Sequence, residues 1–373
     1  MNQPSSRTRQ WAQTMHGHVP EGRAEAIVQA HRDSHASVKT GDPIGREARE
    51  EREEASLRDG ATRASGAGHR ALPEAPDVER TCFERDRDRI VHSTAFRRLA
   101  GKTQVVVFPT DHQRTRLTHA LEVAQVATSI ARGVGANVAL TDAIALGHDC
   151  GHGPGGHASE EAFDAFLPEG YDHGPWGSDV VLTGLNLCAE TLDGIRNHSW
   201  SRPAPGTLEG EIVSWADRIA YCAHDLEDAI HAGIVEASDV PRDVATIAGT
   251  GRREQLGTFI RSVISTTCAT GTVGMDATTA SALARLRAFN YERIYTRPAS
   301  LAQSRAVVAV LQGLVEHYIA SPDALPRDYR DDDRSRAAVT YVGGMTDRFA
   351  FDTAISLLGY DEQRLPQGIG LGF

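Results

Sequence analysis

Two histidines and two aspartates are placed so that successive helices can bring them together. His148 and Asp149 are adjacent at the predicted C-terminus of one helix, where both side chains can turn toward one cation. His119 lies in the preceding predicted helix, and Asp217 lies in a long predicted helix further along the chain. Imidazole nitrogen and carboxylate oxygen together suit a divalent metal such as Mn, Mg, Fe or Zn. A lone histidine on a helix face is more often structural, but four converging metal-competent groups favour a metal site.

A stripe of polar residues follows the long predicted helix. Asp217, Tyr221 and Asp225 succeed one another every four residues, so they share one helix face. Their neighbours are mostly apolar, which predicts a largely buried helix in which a carboxylate must be paired or bound to metal. Arg218 is a poor pairing partner for Asp217, because adjacent helical side chains do not face each other. Glu227 is interpreted as part of a solvated acidic face.

Helical periodicity dominates the part of the chain that carries these groups. From residue 78 onward hydrophobic residues recur at helical spacing, and strand signals are few. The sequence therefore predicts an all-α fold with one short β element near 104–108. Thr141, Ser159 and Thr207 are predicted helix N-caps. The predicted helices span 46–58, 85–99, 115–133, 141 to about 149, 160–166, 180–195, 208–232, 254–267, 278–294, 301–319 and 337–358.

The distribution of polar residues divides the chain into two parts. Residues 1–45 are polar and lack dense apolar periodicity, so we expect a flexible N-terminal segment. Residues 46–373 are expected to form one helical domain. Its core is predicted at about 85–235, followed by a helical C-terminal part at about 236–373.

The overall composition argues against several classes of protein. The 373 residues carry 39 Lys and Arg against 50 Asp and Glu, and this net charge of −11 disfavours non-specific duplex DNA binding. No stretch is long and apolar enough to cross a membrane, and no secretory signal is visible. The 5 cysteines are widely spaced without a CxxC pair, which argues against a disulfide framework or a cysteine-based zinc site. We therefore expect a cytoplasmic protein that does not bind membranes.

Longer motifs surround the four candidate metal ligands. They are RDRDRIVHSTAFRRLAGKTQV (85–105), RTRLTHALEVAQVATSIAR (114–132), HDCGHGPGGHASEE (148–161), LNLCAETLDGI (185–195), ADRIAYCAHDLEDAI (216–230) and VTYVGGMTDRFAF (339–351). Together with the H…HD…D arrangement, these motifs resemble the deoxynucleoside triphosphate triphosphohydrolases, the dGTPase-like family of the HD superfamily. The resemblance covers about residues 45–232 and resumes near 337; it does not include the first 40 residues.

The resemblance implies a role for each matching residue. The four candidate ligands would hold a divalent metal ion. His157 would be the catalytic histidine and Glu160 the carboxylate that orients it, because a carboxylate fixes the imidazole tautomer. His152 matches a second active-site position. The positions that would contact substrate are Gln104, Arg116, His173, Arg218, Tyr221 and Asp225.

The implied substrate contacts divide by chemistry. Arg116 and Arg218 match positions that meet the triphosphate, where a guanidinium fork suits phosphate oxygens. Tyr221 would lie under C2′ of the sugar, Asp225 would hold the 3′-hydroxyl, and Gln104 would contact the sugar. The structural alternatives are an ion pair for Arg116, a core position for Tyr221 and a surface position for Gln104.

The resemblance also implies an activity and partners. The expected reaction is metal-dependent hydrolysis of a deoxynucleoside triphosphate, either dGTP or several dNTPs, to the deoxynucleoside and inorganic triphosphate. One alternative is another HD phosphohydrolase that acts on a nucleoside monophosphate, a cyclic dinucleotide or a guanosine alarmone. A second alternative is a non-catalytic nucleotide sensor or single-strand nucleic-acid binder on the HD fold. Family members also lead us to expect a homo-oligomer with a nucleotide or single-stranded DNA effector.

Overall fold

Helices make up almost all of the regular structure. The computed structural model describes residues 5–15, 17–20, 27–105, 107, 109 and 112–366. Within these residues the backbone forms α-helices, short 3₁₀ and π turns and three isolated β-bridges, without a sheet. The all-α class is therefore confirmed. Contacts divide the chain into two units, Met1–Ile44 and Gly45–Phe373, which are described separately.

The described residues of the first unit contain one helix, α1 (Ser6–Gln13), which the sequence analysis did not predict. The Ser5 hydroxyl caps it by accepting a hydrogen bond from the Thr8 backbone N–H at 3.2 Å. No residue of α1 is buried, and the side chain of Trp11 is 69% exposed. The expected flexibility of residues 1–45 stays a prediction.

The second unit begins with the helices that surround the candidate ligands. Helix α5 packs against both α6 and α10, and α6 also contacts α3 and α9. Side chains of α5, α6 and α10 form the centre of the larger hydrophobic cluster. These helices are α2 (Arg46–Ser56), α3 (Cys82–His92), α4 (Thr94–Arg98), α5 (Arg116–Val134), α6 (Val138–Gly147), α7 (His157–Asp164), α8 (His173–Trp176), α9 (Ala189–Asn197) and α10 (Leu208–His231).

The C-terminal helices complete the same unit. Helix α14 packs against α7, α15 and α16, and a second hydrophobic cluster fills the space between them. Helix α12 contacts α5 and α10, while α13 contacts α10 and α11. These helices are α11 (Arg242–Ala248), α12 (Arg252–Thr270), α13 (Ala277–Asn290), α14 (Pro298–Ala320), α15 (Arg334–Gly343) and α16 (Asp347–Leu358).

Several predicted helix boundaries were correct, and others are corrected by side-chain capping. Thr207 caps α10 as predicted, by accepting from the Gly210 backbone N–H at 3.1 Å. Thr141 does not cap α6. The cap is Asn137, four residues before Thr141, whose side chain accepts from the Leu140 backbone N–H. Ser159 does not cap α7 either; that helix begins at His157 after Gly156.

Three predicted helices are interrupted. The predicted helix at 85–99 is divided by Ser93, which caps α4 by accepting from the Phe96 N–H at 3.1 Å. The segment 337–358 forms α15 and α16, because Thr346 starts a new helix after Gly344. The segment 180–195 is not one helix: Asn186 has a left-handed φ of 49°, and α9 begins only after Cys188.

The predicted short β element near 104–108 is absent from the described part of that segment. Gln104, Val105 and Val107 form bends, while residues 106 and 108 lie outside the described residues. The only pairing there is a single antiparallel bridge between Thr103 and Thr115, among the described residues. Within the same residues, the helices are too short or too polar to span a lipid bilayer.

Candidate active site

A cavity of about 440 Å³ opens between α5, α7, α10, α13 and α14. Every predicted site residue except His148 and Glu160 lines it, and those two contact lining residues directly. The structure therefore brings all the predicted site residues to one place. The predicted residues on the wall are Gln104, Arg116, His119, Asp149, His152, His157, His173, Asp217, Arg218, Tyr221 and Asp225.

The four candidate metal ligands meet at the inner end of this cavity. His119 Nε2 lies 3.1 Å from Asp217 Oδ1, and His148 Nε2 lies 3.7 Å from the same oxygen. Asp149 contributes Oδ1 at 3.5 Å from His148 Nε2 and Oδ2 at 3.9 Å from His119 Nε2. One ligand atom each from His119, His148 and Asp217 lies within 4.8 Å of the other two. The arrangement has the size of a metal-binding centre.

Local helix geometry positions each of these ligands. Thr115 and Thr118 form a reciprocal capping pair at the start of α5, which places His119 in its first turns. His148 is the C-cap of α6, and Asp149 follows it directly. Asp217 projects from the middle of α10, and its side chain is 20% exposed toward the cavity.

The donor atoms fit a divalent cation. His148 Nδ1 donates to the Ala145 carbonyl oxygen at 2.7 Å, so its Nε2 carries a lone pair, and this buried atom has no hydrogen-bond partner. Burial opposes ionisation of Asp149, but Arg116, His148 and His152 together hold the pKa of Asp149 well below the usual value. The pKa of Asp217 is likewise lowered: burial opposes ionisation, but the His119 hydrogen bond favours it. Two ionised carboxylates are therefore available as ligands beside the imidazoles of His119 and His148.

A chain of histidines and one carboxylate lies beside the ligand cluster. Glu160 accepts from His157 Nδ1 at 3.0 Å through Oε2 and from His173 Nδ1 at 2.5 Å through Oε1. His173 Nε2 lies 3.0 Å from His198 Nε2, and His198 Nδ1 donates to the Ile195 carbonyl oxygen at 2.8 Å. His198 therefore offers a lone pair to His173, which donates from both ring nitrogens.

The pKa values agree with this hydrogen-bonding order. Burial lowers the pKa of His198 to about 3, and the neighbouring His173 lowers it further. Burial also disfavours protonation of His173, yet the Glu160 hydrogen bond and the charges of Glu160 and Asp149 together raise its pKa. His152 stacks on His173 with ring centroids 3.8 Å apart, and burial keeps the pKa of His152 well below its usual value. The side chain of His157 is 72% exposed at the cavity mouth, whereas His152, His173 and His198 are buried.

Two arginines bring positive charge to the cavity wall. Arg116 donates from Nη1 to Asp149 Oδ2 at 2.7 Å, whereas its buried Nε and Nη2 have no partner. Two donors of a buried cation are therefore available to an anion in the cavity. Arg218 stacks on Trp200 with its Cζ 3.4 Å from the ring centroid, and its Nε also lacks a partner.

The opposite end of the cavity contains residues that the sequence analysis missed. Tyr295 donates to Asp225 Oδ2 at 2.5 Å, and Arg287 Nε donates to the Tyr221 hydroxyl at 2.8 Å. Asp225 Oδ1 and Gln104 Oε1 are buried without a hydrogen-bond partner. Arg287 and Tyr295 lie two helical turns apart, so they share a face at the end of α13 and the π turn that follows it. The predicted helix ended at residue 294, one residue before Tyr295, so the sequence analysis did not place Tyr295 on this face.

His198 was also missed. It follows α9 directly and lies between the ligand cluster and His173, with a relative exposure of 2%. The signal in the sequence was weak, because a single histidine after a short helix has many structural explanations.

Comparisons with known proteins place the same segments in known families. The HD domain matches residues 116–222, and the phosphohydrolase-associated domain matches residues 273–355. The chain is 40% identical over 332 residues to a "Deoxyguanosinetriphosphate triphosphohydrolase-like protein" of Caldanaerobacter subterraneus, covering 86% of this chain and 96% of that protein. A protein with the same name from Clostridium perfringens is 38% identical over 296 residues, covering 74% of this chain and 86% of its own length. "Deoxyguanosinetriphosphate triphosphohydrolase-like protein 1" of Deinococcus radiodurans is 35% identical over 366 residues, covering 83% of this chain and 98% of that protein.

Proposed function

The chain belongs to the deoxyguanosinetriphosphate triphosphohydrolase-like family of HD-domain phosphohydrolases, and we propose that it hydrolyses a deoxynucleoside triphosphate to the deoxynucleoside and inorganic triphosphate. The observation that carries the proposal is a single cavity lined by His119, Asp149, Asp217, His157 and the unpaired donors of Arg116, with His148 and Glu160 in contact with lining residues. Each of these groups suits a different part of the same reaction.

The ligand cluster would hold a divalent metal ion through His119, His148, Asp149 and Asp217. When bound, such an ion supplies Lewis-acid polarisation of a phosphoryl oxygen and lowers the pKa of bound water. Mn, Mg, Fe and Zn all accept this mixed nitrogen and oxygen donor set.

Arg116 would bind the phosphate next to the ligand cluster. Its Nη1 is held by Asp149, so the guanidinium is fixed while Nε and Nη2 remain available to phosphate oxygens. Arg218, held flat against Trp200, would contact the outer phosphates and offset the charge on the triphosphate.

His157 would move the proton at its Nε2 atom. Glu160 accepts the Nδ1–H, so the Nε2 lone pair of neutral His157 faces away from Glu160 and is free to take a proton. The same atom can return a proton to the 5′-oxygen of the leaving nucleoside. His152 and His173 would support this pair by fixing the position of Glu160 and its surroundings.

The far end of the cavity suits a deoxyribose. Asp225 is fixed by Tyr295 through Oδ2, which leaves Oδ1 to accept a hydrogen bond from a 3′-hydroxyl. Tyr221 is fixed by Arg287, so its ring can pack under C2′ and disfavour a ribonucleotide. Gln104, with an unpartnered Oε1, would meet the sugar from the other side.

Product analysis in ¹⁸O-labelled water tests the proposal. The protein is incubated with Mn²⁺ and each of the four dNTPs, and the products are separated by ion exchange. We expect deoxynucleoside and tripolyphosphate in one step, with ¹⁸O in the tripolyphosphate, and we expect none with His157→Ala. Deoxynucleoside monophosphate with pyrophosphate, or turnover only of monophosphates, cyclic dinucleotides or alarmones, would support another HD phosphohydrolase. Tight dNTP binding without turnover would support a sensor.

Four other features stay proposals. The homo-oligomer and the nucleotide or single-stranded DNA effector rest on the family resemblance. The cytoplasmic location and the division into a core at about 85–235 and a C-terminal part at about 236–373 rest on the composition and pattern of the sequence. Size-exclusion chromatography with light scattering, with and without each dNTP, tests the first two.

A further inference from the structure

Two cysteines from distant parts of the sequence meet beside a second cavity. Cys82 is the first residue of α3 and Cys188 precedes α9; the Cys188 thiol lies 3.9 Å from the Cys82 carbonyl oxygen, across 106 residues of sequence. A Cβ placed on Gly68 would lie 2.7 Å from Cys82 Sγ and 3.5 Å from Cys188 Sγ, so both sulfur atoms lie close to the same point. A hydrogen bond with the Cys82 thiol is the largest cause of the raised pKa of Cys188.

The two thiols differ in access to solvent. Cys82 is partly exposed and lines a cavity of about 450 Å³, which also contains the side chains of Arg46, Arg70 and Arg80. Cys188 is fully buried behind it, with a relative exposure of 0%. A small oxidant in solution can therefore reach Cys82 first, whereas Cys188 can react only with a group already on Cys82.

We propose that Cys82 and Cys188 are a reversible thiol–disulfide site, in which Cys82 reacts with a hydroperoxide and Cys188 resolves the product. In the first step the Cys82 sulfur attacks the O–O bond and becomes a sulfenic acid; with hydrogen peroxide the other oxygen leaves as water. In the second step the Cys188 sulfur attacks the Cys82 sulfur. The S–O bond breaks, and the hydroxyl leaves with the Cys188 proton as a second water. The two thiols lose two electrons, and the hydroperoxide gains them.

The bond would join the first turn of α3 to the start of α9. Asp86 already links these positions, because it accepts from the Cys188 backbone N–H at 2.8 Å and from Arg70 Nη1 at 2.6 Å. Helix α9 leads directly to His198 in the first cavity. In a reducing compartment such a bond would be transient, which is the usual form of a disulfide there.

The other three cysteines provide an internal comparison. Cys150 and Cys222 are buried, and burial raises the pKa of Cys150 to about 12. Cys268 is exposed, and its thiol donates to the Gly133 carbonyl oxygen at 3.7 Å. Cys268 is expected to react with peroxide without forming an intramolecular disulfide.

Disulfide mapping of the full chain tests the proposal. Wild-type protein is treated with one equivalent of hydrogen peroxide, remaining thiols are blocked with N-ethylmaleimide, and a non-reducing digest is examined by mass spectrometry. We expect one cross-linked peptide pair, Cys82 with Cys188, that dithiothreitol separates. Blocked thiols at both positions, or a cross-link to a different cysteine, would overturn the proposal. This measurement uses wild-type protein and does not depend on nucleotide hydrolysis. Absence of the disulfide would therefore not contradict the proposed function.

Variants assign the order of the two thiols. In Cys188→Ser, oxidation in the presence of dimedone should label Cys82 as a sulfenic-acid adduct, because no resolving thiol remains. In Cys82→Ser, Cys188 should stay unlabelled, since it is buried. Dimedone on Cys188 but not on Cys82 would overturn the assigned order. Both variants also carry Cys268→Ser, which removes the exposed thiol. Circular dichroism confirms that each variant is folded.

Discussion

The carboxylate of Asp347 accepts a hydrogen bond from the backbone N–H of Gly155 at 2.8 Å, across 192 residues of sequence. Its second oxygen accepts from the backbone N–H and the hydroxyl of Thr103, at 2.9 and 2.5 Å. Gly155 has a left-handed φ of 73°, and a Cβ there would lie 2.4 Å from Val307. Helix α16 thereby fixes the loop that leads from Asp149 to His157.

We predict that Asp347→Asn lowers both stability and turnover. An amide offers one acceptor in place of two, so either Gly155 or Thr103 loses its partner, at a cost of about 1.5–3 kcal/mol. A misplaced His157 is expected to reduce kcat by up to about 100-fold. Thermal unfolding and steady-state kinetics measure both effects. Asp352→Asn, an exposed position on the same helix, is the control, and equal results for the two variants would contradict the role of Asp347.

Glu160→Gln is expected to lower kcat by about 10²–10⁴ with little change in KM. The carboxylate binds both His157 and His173, and an amide cannot accept from both rings in the same way. Ionised Glu160 is also favoured here: burial opposes it, but the His157 and His173 hydrogen bonds hold the pKa low. Glu161→Gln is the matched control, because Glu161 is the exposed neighbour on the same helix. A kcat for Glu160→Gln within twofold of wild type would exclude Glu160 from proton transfer.

The contribution of Asp225 to the free energy of unfolding should decrease between pH 4 and pH 7. Burial raises the pKa of this carboxyl to about 7, against 3.8 in an exposed chain, despite the Tyr295 hydrogen bond that lowers it. Between these values the folded state keeps a proton that the unfolded state releases. The free energy of unfolding therefore falls by up to about 1.4 kcal/mol per pH unit as pH rises.

Asp225→Asn removes the titrating carboxyl and serves as the reference variant. Relative to Asp225→Asn, the free energy of unfolding of wild type should fall from pH 4 to pH 7 and stay constant above pH 7. Urea denaturation at several pH values gives the difference. A difference that stays constant over this range would show that the folded and unfolded states share the same Asp225 pKa.

Much of the fold followed from local signals in the sequence. Thr207 and the apolar stripe of α10 were sufficient to place that helix, because both act within a few residues. The interruption of 180–195 was not predictable, because it depends on distant partners. Asp86 accepts the Cys188 N–H, and Arg89 Nη1 donates to the Asn186 carbonyl oxygen at 2.9 Å.

The candidate site also contains residues that local sequence signals predicted and residues that they did not. His119, His148, Asp149 and Asp217 were predicted because their spacing and the surrounding motifs are specific, and the structure brings them together. Tyr295 was missed because its role depends on how α13 packs against α10. Nothing local to Tyr295 indicates that its hydroxyl reaches Asp225.

We propose that His119, His148, Asp149 and Asp217 together hold one divalent cation. Titration of Mn²⁺ into metal-free protein, followed by the electron paramagnetic resonance signal of free Mn²⁺, tests it most directly. Wild type and Glu211→Gln, a control on α10, should deplete the free Mn²⁺ signal to the same extent, and Asp217→Ala should not. Equal binding of Mn²⁺ by wild type and Asp217→Ala would contradict the account.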